Sequence, residues 1–465
     1  MVLILNIISI LYIYILYINR NILIDINEYS LGIQFIIIFV LNTYFFLKKY
    51  RKNNIVCFEI FFAFAFLFST FQYPFFVKFW PNYIINKFFA IPNIVYVTGM
   101  CIAMLGYLSY LLGATIVSRS KTNKTFTLQY NTKDVYLLNS IFQYLILLLF
   151  LIIFIGGGHK MLSEYYNPSE DRWGNMGEAI FYLGVFFNIS SILQFIKVKS
   201  KGINNTTNFI KSIDKIYFVN AILVLSFFFI SGYRSEFVFL FLPIFLLYSL
   251  FIKRIKNRDL FLIIFTGLIV LSLVGIIRSV EGGLLNIDNF TSSLLHIDIS
   301  YLFADLTSAN GSIFFFVDYV DNYGITYGKN MIFQFFSFIP FFQSILINVF
   351  GLNPGLPSSI IYSMELHGIN LSSGLGTHII SDLYYSFGLT GVIILMFALG
   401  VLVSYIYGKI YIKNSFNIYI LIIYCILFGN SIYSCRVEYF FIMRTIGFSL
   451  IIFWLFNLFI KAIKK

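Results

Sequence analysis

Charge is what this chain has least of. Only 11% of its 465 residues are Asp, Glu, Lys or Arg, while 59% are hydrophobic and the mean hydropathy is +0.86. Soluble domains carry about 25% charged residues, so a soluble fold is excluded and the chain reads as an integral membrane protein. Cysteine is equally sparse. Cys57, Cys101 and Cys425 fall inside apolar runs, Cys435 lies just beyond one, and no CxxC pair occurs. Neither a disulfide framework nor a zinc site is expected. There is no P-loop, no GxGxxG, no HExxH and no nucleophile elbow. Asp288, Asp298, Asp305, Asp318 and Asp321 form no DxD pair, so no metal-dependent sugar-nucleotide site, and no metal or cofactor, is expected. The N-terminal MVLILNIISI has no basic flank or small-residue cleavage site and reads as a retained first span.

What fills the chain instead is aromatic, 58 Phe and 34 Tyr without a Gly-rich or Pro-rich period. These read as lipid-facing and interfacial side chains rather than a nucleic-acid surface. A helical span needs about 20 mainly apolar residues. Twelve runs qualify: 2–18, 31–47, 55–76, 91–117, 135–155, 178–198, 216–231, 236–252, 260–277, 383–407, 417–433 and 445–460. Lys and Arg in alternate connectors set the orientation. One set, including Lys48 to Lys52, the lysines of 197–215, the 253–258 run and the C-terminal KAIKK, holds 22 of the 32 basic residues with only four acids. The other set holds ten basic and sixteen acidic residues. The net charge of +12 is thus a topology signal that requires no nucleic acid, and both termini are expected in the cytoplasm.

The one long interruption runs from Arg278 to about His378 and carries His296, His367 and His378, three of the four histidines. The expected organisation is spans 1–9 in residues 1–277, a large extracytoplasmic loop with interfacial or re-entrant helices in 278–382, and spans 10–12 in 383–465. Residues 331–350 are twenty positions without a charge. A crossing there would put Lys409, Lys413 and the C-terminal lysines outside, so a re-entrant or interfacial helix pair kinked at Pro340 is expected.

The sharpest polar feature is Ser231-Gly232-Tyr233-Arg234-Ser235-Glu236, a tight turn between two apolar runs. Ionisable residues at such depth mark functional sites; the alternative is a turn exposed to outer headgroups. Arg278, Arg436 and Arg444 stand at the same outer level, where they run against the charge bias. Guanidinium groups bind phosphate bidentately, so together with Arg234 they suit a diphosphate, or else Arg436 and Arg444 anchor helix ends in lipid phosphate. His296 lies on an amphipathic pattern with an interfacial role. His367 falls on an apparent loop near Glu365. His378 precedes Asp382 by one helical turn, which fits either a general base beside a carboxylate or a capped helix start.

The Gly-x-Arg-Ser turn at 232–235, the "FSFIP" of 336–340, "GTHIISDLYYSFGLTGVIILMFALG" from Gly376 and "YSCRVEYFF" from Tyr433 resemble, in this order, the bacterial oligosaccharide repeat-unit polymerases of O-antigen and capsule, the Wzy family, over roughly residues 220–450. The resemblance implies an all-α polytopic membrane protein of about 12 transmembrane helices with GT-C-like glycosyltransferase architecture in the bacterial inner membrane, its active face periplasmic. It implies a glycan donor on undecaprenyl diphosphate, an accepting hydroxyl on a second lipid-linked repeat unit, and a metal-independent, inverting transfer. Membrane lipid and a chain-length regulator protein are the implied partners. Arg234 and Arg278, then Arg436 and Arg444, are implied diphosphate ligands. Related ligases have a His about ten residues before G-x-x-G, which His378, Gly388 and Gly391 match. The Asn that usually follows the His is missing, so Asp382 or Glu365 are alternative bases, and no basic residue follows Pro340. An O-antigen ligase would use the same chemistry on lipid A core. A lipid-linked oligosaccharide flippase would show two corresponding halves and short loops, and a membrane scaffold would leave the outer arginines unexplained.

Overall fold

In lipid every backbone amide must be satisfied within its own segment, and the chain answers with helices. The computed structural model describes residues 1–22, 28–51, 55–72, 91–118, 127–128, 132–158, 176–231, 233–264, 266–267, 299–339, 342–352, 355–368, 376–412 and 415–464. The first half contains α1 (Val2–Ile18), α2 (Glu28–Tyr50), α3 (Phe58–Phe71), α4 (Asn93–Val117), α5 (Thr132–Ile155), α6 (Met176–Ser200), α7 (Thr206–Ser212), α8 (Lys215–Ile230) and α9 (Arg234–Phe251). The second contains α10 (Ile299–Tyr323), α11 (Lys329–Phe335), α12 (Phe342–Asn348), α13 (Ser358–His367), α14 (Ile379–Tyr407), α15 (Ile418–Gly429) and α16 (Met443–Ile463). A parallel ladder of two residues per strand joins Thr127–Leu128 to Ser415–Phe416.

Seven of the described helices, α2, α4, α5, α6, α9, α14 and α16, are long and apolar enough to cross a membrane. The pair α7–α8, bent by 96°, makes an eighth if it is one span. The protein is therefore a polytopic helical membrane protein. Several expected spans change on inspection. Among the described residues of run 55–76 the α-helix covers Phe58–Phe71, and in run 417–433 it covers Ile418–Gly429. Most of run 260–277, with Arg278 and His296, lies outside the described residues. Residues 331–350 are not one helix: α11 ends at Phe335, a 3-10 turn covers Phe336–Phe338, and α12 begins at Phe342. Pro340 itself lies outside the described residues. Within the described part of 278–382, α10 packs on α14, α3 and α4.

At the centre, α4 and α14 run against each other. Small residues permit the approach. A Cβ at Gly113 would stand 2.2 Å from the Phe397 carbonyl oxygen, and one at Gly400 would stand 2.0 Å from that of Tyr110. Lipid supplies no hydrophobic drive between helices, so close backbone packing is what holds them together.

The feature that positions the site is a break inside α14. Gly388 has φ 64° and ψ −159°, a conformation essentially confined to glycine. The carbonyls of Tyr385 and Ser386, just before the break, take donors from outside the helix, as buried carbonyls need partners. Thr326 N–H donates to Tyr385 at 3.0 Å and Gly328 N–H to Ser386 at 3.1 Å, both from the turn between α10 and α11. The turn is tight enough that Gly324, Tyr327 and Gly328 all take positive φ. A Cβ at Gly328 would lie 2.3 Å from the Phe387 ring. The polar half-helix 379–387 is thus stapled to α10–α11, while the apolar half continues into the bundle.

The opposite end of the bundle is locked by an ion pair that composition does not reveal. The Arg51 guanidinium, 1% exposed like its partner, donates to Glu59 from both Nε and Nη2. It also reaches Ser404 Oγ at 2.8 Å and Ser118 Oγ at 3.2 Å, and it lies 3.9 Å from the centre of the Tyr407 ring. One side chain thereby ties together the ends of α2, α3, α4 and α14.

Candidate functional site

The site begins at the first turn of α14, which starts at Ile379 rather than at residue 383. His378 is the N-cap. Its Nδ1 accepts from the Ile380 N–H at 3.2 Å, which leaves the ring proton on Nε2, 3.3 Å from Ser69 Oγ and 3.2 Å from Thr70 Oγ1. Its own N–H donates to Ser312 Oγ at 2.9 Å, and Phe66 meets the ring edge-on at 5.3 Å. The side chain is fully buried, and with Nδ1 accepting a hydrogen bond the imidazole is neutral. Both ring nitrogens are engaged within the protein. Of the two sequence readings of His378, this geometry is that of the capped helix start.

Asp382 is also fully buried. Oδ1 accepts from Ser358 Oγ at 2.8 Å and Asn330 Nδ2 at 3.2 Å, and Oδ2 accepts from the Tyr439 N–H at 3.0 Å. Three donors are what a buried carboxylate requires. Asn330 bonds in turn to Ser386 and Thr326, and Ser359, the neighbour of Ser358, donates to Glu438, the neighbour of Tyr439. Asp382 and Glu438 are therefore adjacent anchors that fasten the 430–442 connector to α14 and α13. Held by these three donors, Asp382 ties the connector to α11 and α13. Glu365 is exposed on α13, outside the set that bonds Asp382. The side chain of His367 lies outside the described residues.

The other face of the same connector borders a cavity of about 680 Å³. Its polar lining is Glu178 at the start of α6, Ser235 and Glu236 at the start of α9, Asn430 after α15, and Arg444 and Thr445 at the start of α16. Phe181, Phe228, Val437 and Phe441 supply apolar walls. Two stretches singled out from sequence, the Arg-Ser-Glu turn and the connector before the last helix, thus meet in one space although some 200 residues apart. Ser235 Oγ donates to Glu236 Oε2 at 2.5 Å. Arg444 Nη2 donates to both oxygens of Glu178 at 2.6 Å, and its guanidinium lies 4.4 Å from the centre of the Phe181 ring. Arg234 opens α9 immediately before the lining residues. Arg436 follows the 3-10 turn Tyr433–Cys435, where its carbonyl comes within 2.8 Å of a Cβ built on Gly376. Arg278 lies outside the described residues.

Sequence reasoning missed Glu178, Glu438, Asn330 and the two serines of α13. Glu438 stood in plain view in YSCRVEYFF, but only its arginine attracted notice. Asn330 and Ser358 gave no local signal, because their partners lie 52 and 24 residues away. No protein-family model, no characterised protein and no solved structure matches the chain.

Proposed function

We propose that the chain is an O-antigen or capsular polysaccharide polymerase that joins undecaprenyl-diphosphate-linked repeat units. The observation that supports this reading best is the cavity, where an arginine and two carboxylates from three helix starts surround an apolar-walled space of about 680 Å³ at one end of the bundle. An acceptor hydroxyl attacks the anomeric carbon, the bond from that carbon to the diphosphate oxygen breaks, and undecaprenyl diphosphate leaves with the electron pair. Arg444 meets the charge that develops on the diphosphate, with Arg234, Arg436 and Arg278 as further cationic groups, the kind of electrostatic stabilisation that dominates such reactions. Glu236 lines the cavity, unlike the closed-in His378 and Asp382, and takes the proton of the accepting hydroxyl as general base.

In this reading the chain carries about twelve spans in a GT-C-like arrangement in the bacterial inner membrane. The cavity end faces the periplasm and both termini face the cytoplasm. Segregation of charge supports it: Lys48, Lys49, Lys197, Lys199 and Lys461 sit in the last turns of α2, α6 and α16, at the end opposite the cavity. The transfer is metal-independent and inverting by family resemblance, and a chain-length regulator is the expected protein partner.

The test is the surface glycan ladder of a deletion strain. Collapse to core plus a single repeat is the expected result; total loss of repeats would mean ligation or flipping, and an unchanged ladder would refute the proposal. Complementation with Arg444→Ala, Arg234→Ala or Arg278→Ala is expected to leave the single-repeat pattern at undiminished protein abundance, and normal long chains from all three would remove the diphosphate clamp.

A further inference from the structure

Two arginine–carboxylate pairs among the described residues differ in one respect that has chemical consequences. Arg51 and Glu59 are 1% exposed and wedged among four helix ends. Arg444 and Glu178 are 39% and 63% exposed, and both line the cavity. The Arg444 guanidinium is held from its flat face by Phe181, one turn beyond Glu178, and by Phe448, one turn beyond itself, at 4.4 and 5.9 Å. Its polar edge is engaged by the two oxygens of Glu178, both 2.6 Å from Nη2. A guanidinium fixed by aromatic faces keeps its orientation when the partner at its edge changes. Phosphate presents the same acceptor arrangement to that edge as a carboxylate does. An ion pair this exposed is weak and can be exchanged.

We infer that Glu178 is a built-in anion that occupies Arg444 until the diphosphate of a ligand displaces it, so that Glu178 sets how tightly the cavity holds anionic ligands. The inference rests on the reading of Arg444 as a diphosphate ligand and adds a residue that opposes binding. Glu178 lies in the first turn of α6, where the helix favours negative charge. The same field acts on the anion that replaces it. Exchange also keeps the guanidinium paired in the empty state and releases Glu178 toward solvent when a ligand arrives.

The experiment is a titration of the purified full-length protein in detergent with farnesyl diphosphate, and in parallel with inorganic diphosphate, comparing wild type with Glu178→Gln and Arg444→Gln. Glu178→Gln is expected to bind both probes roughly three- to fivefold more tightly, the scale of a partly exposed ion pair, and Arg444→Gln to lose that binding. Unchanged or weaker binding by Glu178→Gln, with binding still lost in Arg444→Gln, overturns the displacement while leaving the diphosphate site standing. Full binding by Arg444→Gln overturns both, as does failure of every variant to bind either probe. If Arg444→Gln does not fold, Arg444→Lys takes its place, since it keeps the charge but loses the bidentate edge. Glu178→Gln melting within a few degrees of wild type establishes that a change in affinity is not a change in fold.

Discussion

At the scale of residues, burial separates groups that sequence cannot tell apart. Arg51 reads as one more positive charge on the cytoplasmic side, and nothing in its neighbourhood announces that its guanidinium is enclosed with Glu59, Ser404 and Tyr407. Removing one partner leaves the other charge buried and unpaired, so Arg51→Ala or Glu59→Ala is expected to cost about 3–5 kcal/mol. The double variant should cost far less than the two summed; additive losses in a detergent melting series would show that the pair is not coupled. Asp382 was legible as a candidate from its spacing to His378, but its role was not. The donors that surround it come from α11, α13 and the connector, each distant in sequence. Asp382→Asn turns an amide NH₂ toward at least one of those donors and is expected to cost about 1–3 kcal/mol. It should also loosen the 430–442 connector, measured as faster hydrogen exchange at Tyr439; unchanged exchange there would deny Asp382 its anchoring role.

Elements were more legible than residues, with two instructive exceptions. Hydrophobic length found most helices, because apolar runs in lipid have few other ways to satisfy their backbones. The start of α14 lies four residues before the expected run, where His378 caps it; that reading stood open in the sequence because an imidazole is not among the usual caps, Ser, Thr, Asp and Asn. The break at Gly388 was visible only as a spaced glycine, since a helical pattern on both sides of it hides a local change of backbone. Gly388→Ala is expected to cost of order 1–3 kcal/mol through its left-handed φ, seen as a lower melting temperature. It should act mainly by releasing the staple between 385–386 and 326–328. Gly113→Leu tests a different physics at the α4–α14 contact, where its side chain meets the Phe397 carbonyl. It is expected to abolish accumulation of the folded protein in the membrane, and normal accumulation would mean that the two helices are not held by that approach.

At the scale of the whole molecule, hydropathy gave the membrane class, and the alternation of basic connectors gave an expected orientation. Lysines fall in the last turns of α2, α6 and α16, and the starts of α6, α9 and α16 build the cavity. The number of spans was less legible, because α1, α3 and α15 have 17, 14 and 12 residues and length alone does not assign such helices to a crossing. Orientation is open to a direct experiment because all four native cysteines are buried and give little background to a thiol reagent. Glu365 is exposed on α13 beside the cavity end, and Asn204 is exposed in the turn before α7 at the lysine-rich end. In intact spheroplasts a membrane-impermeant maleimide is expected to label Glu365→Cys and to leave Asn204→Cys unlabelled until the membrane is permeabilised. The reverse pattern would place the cavity in the cytoplasm, where a periplasmic polymerisation could not occur, and would dismiss the polymerase reading whatever the glycan ladder showed. Labelling of both from outside would mean that α7 and α13 lie on one side, which the charge segregation forbids.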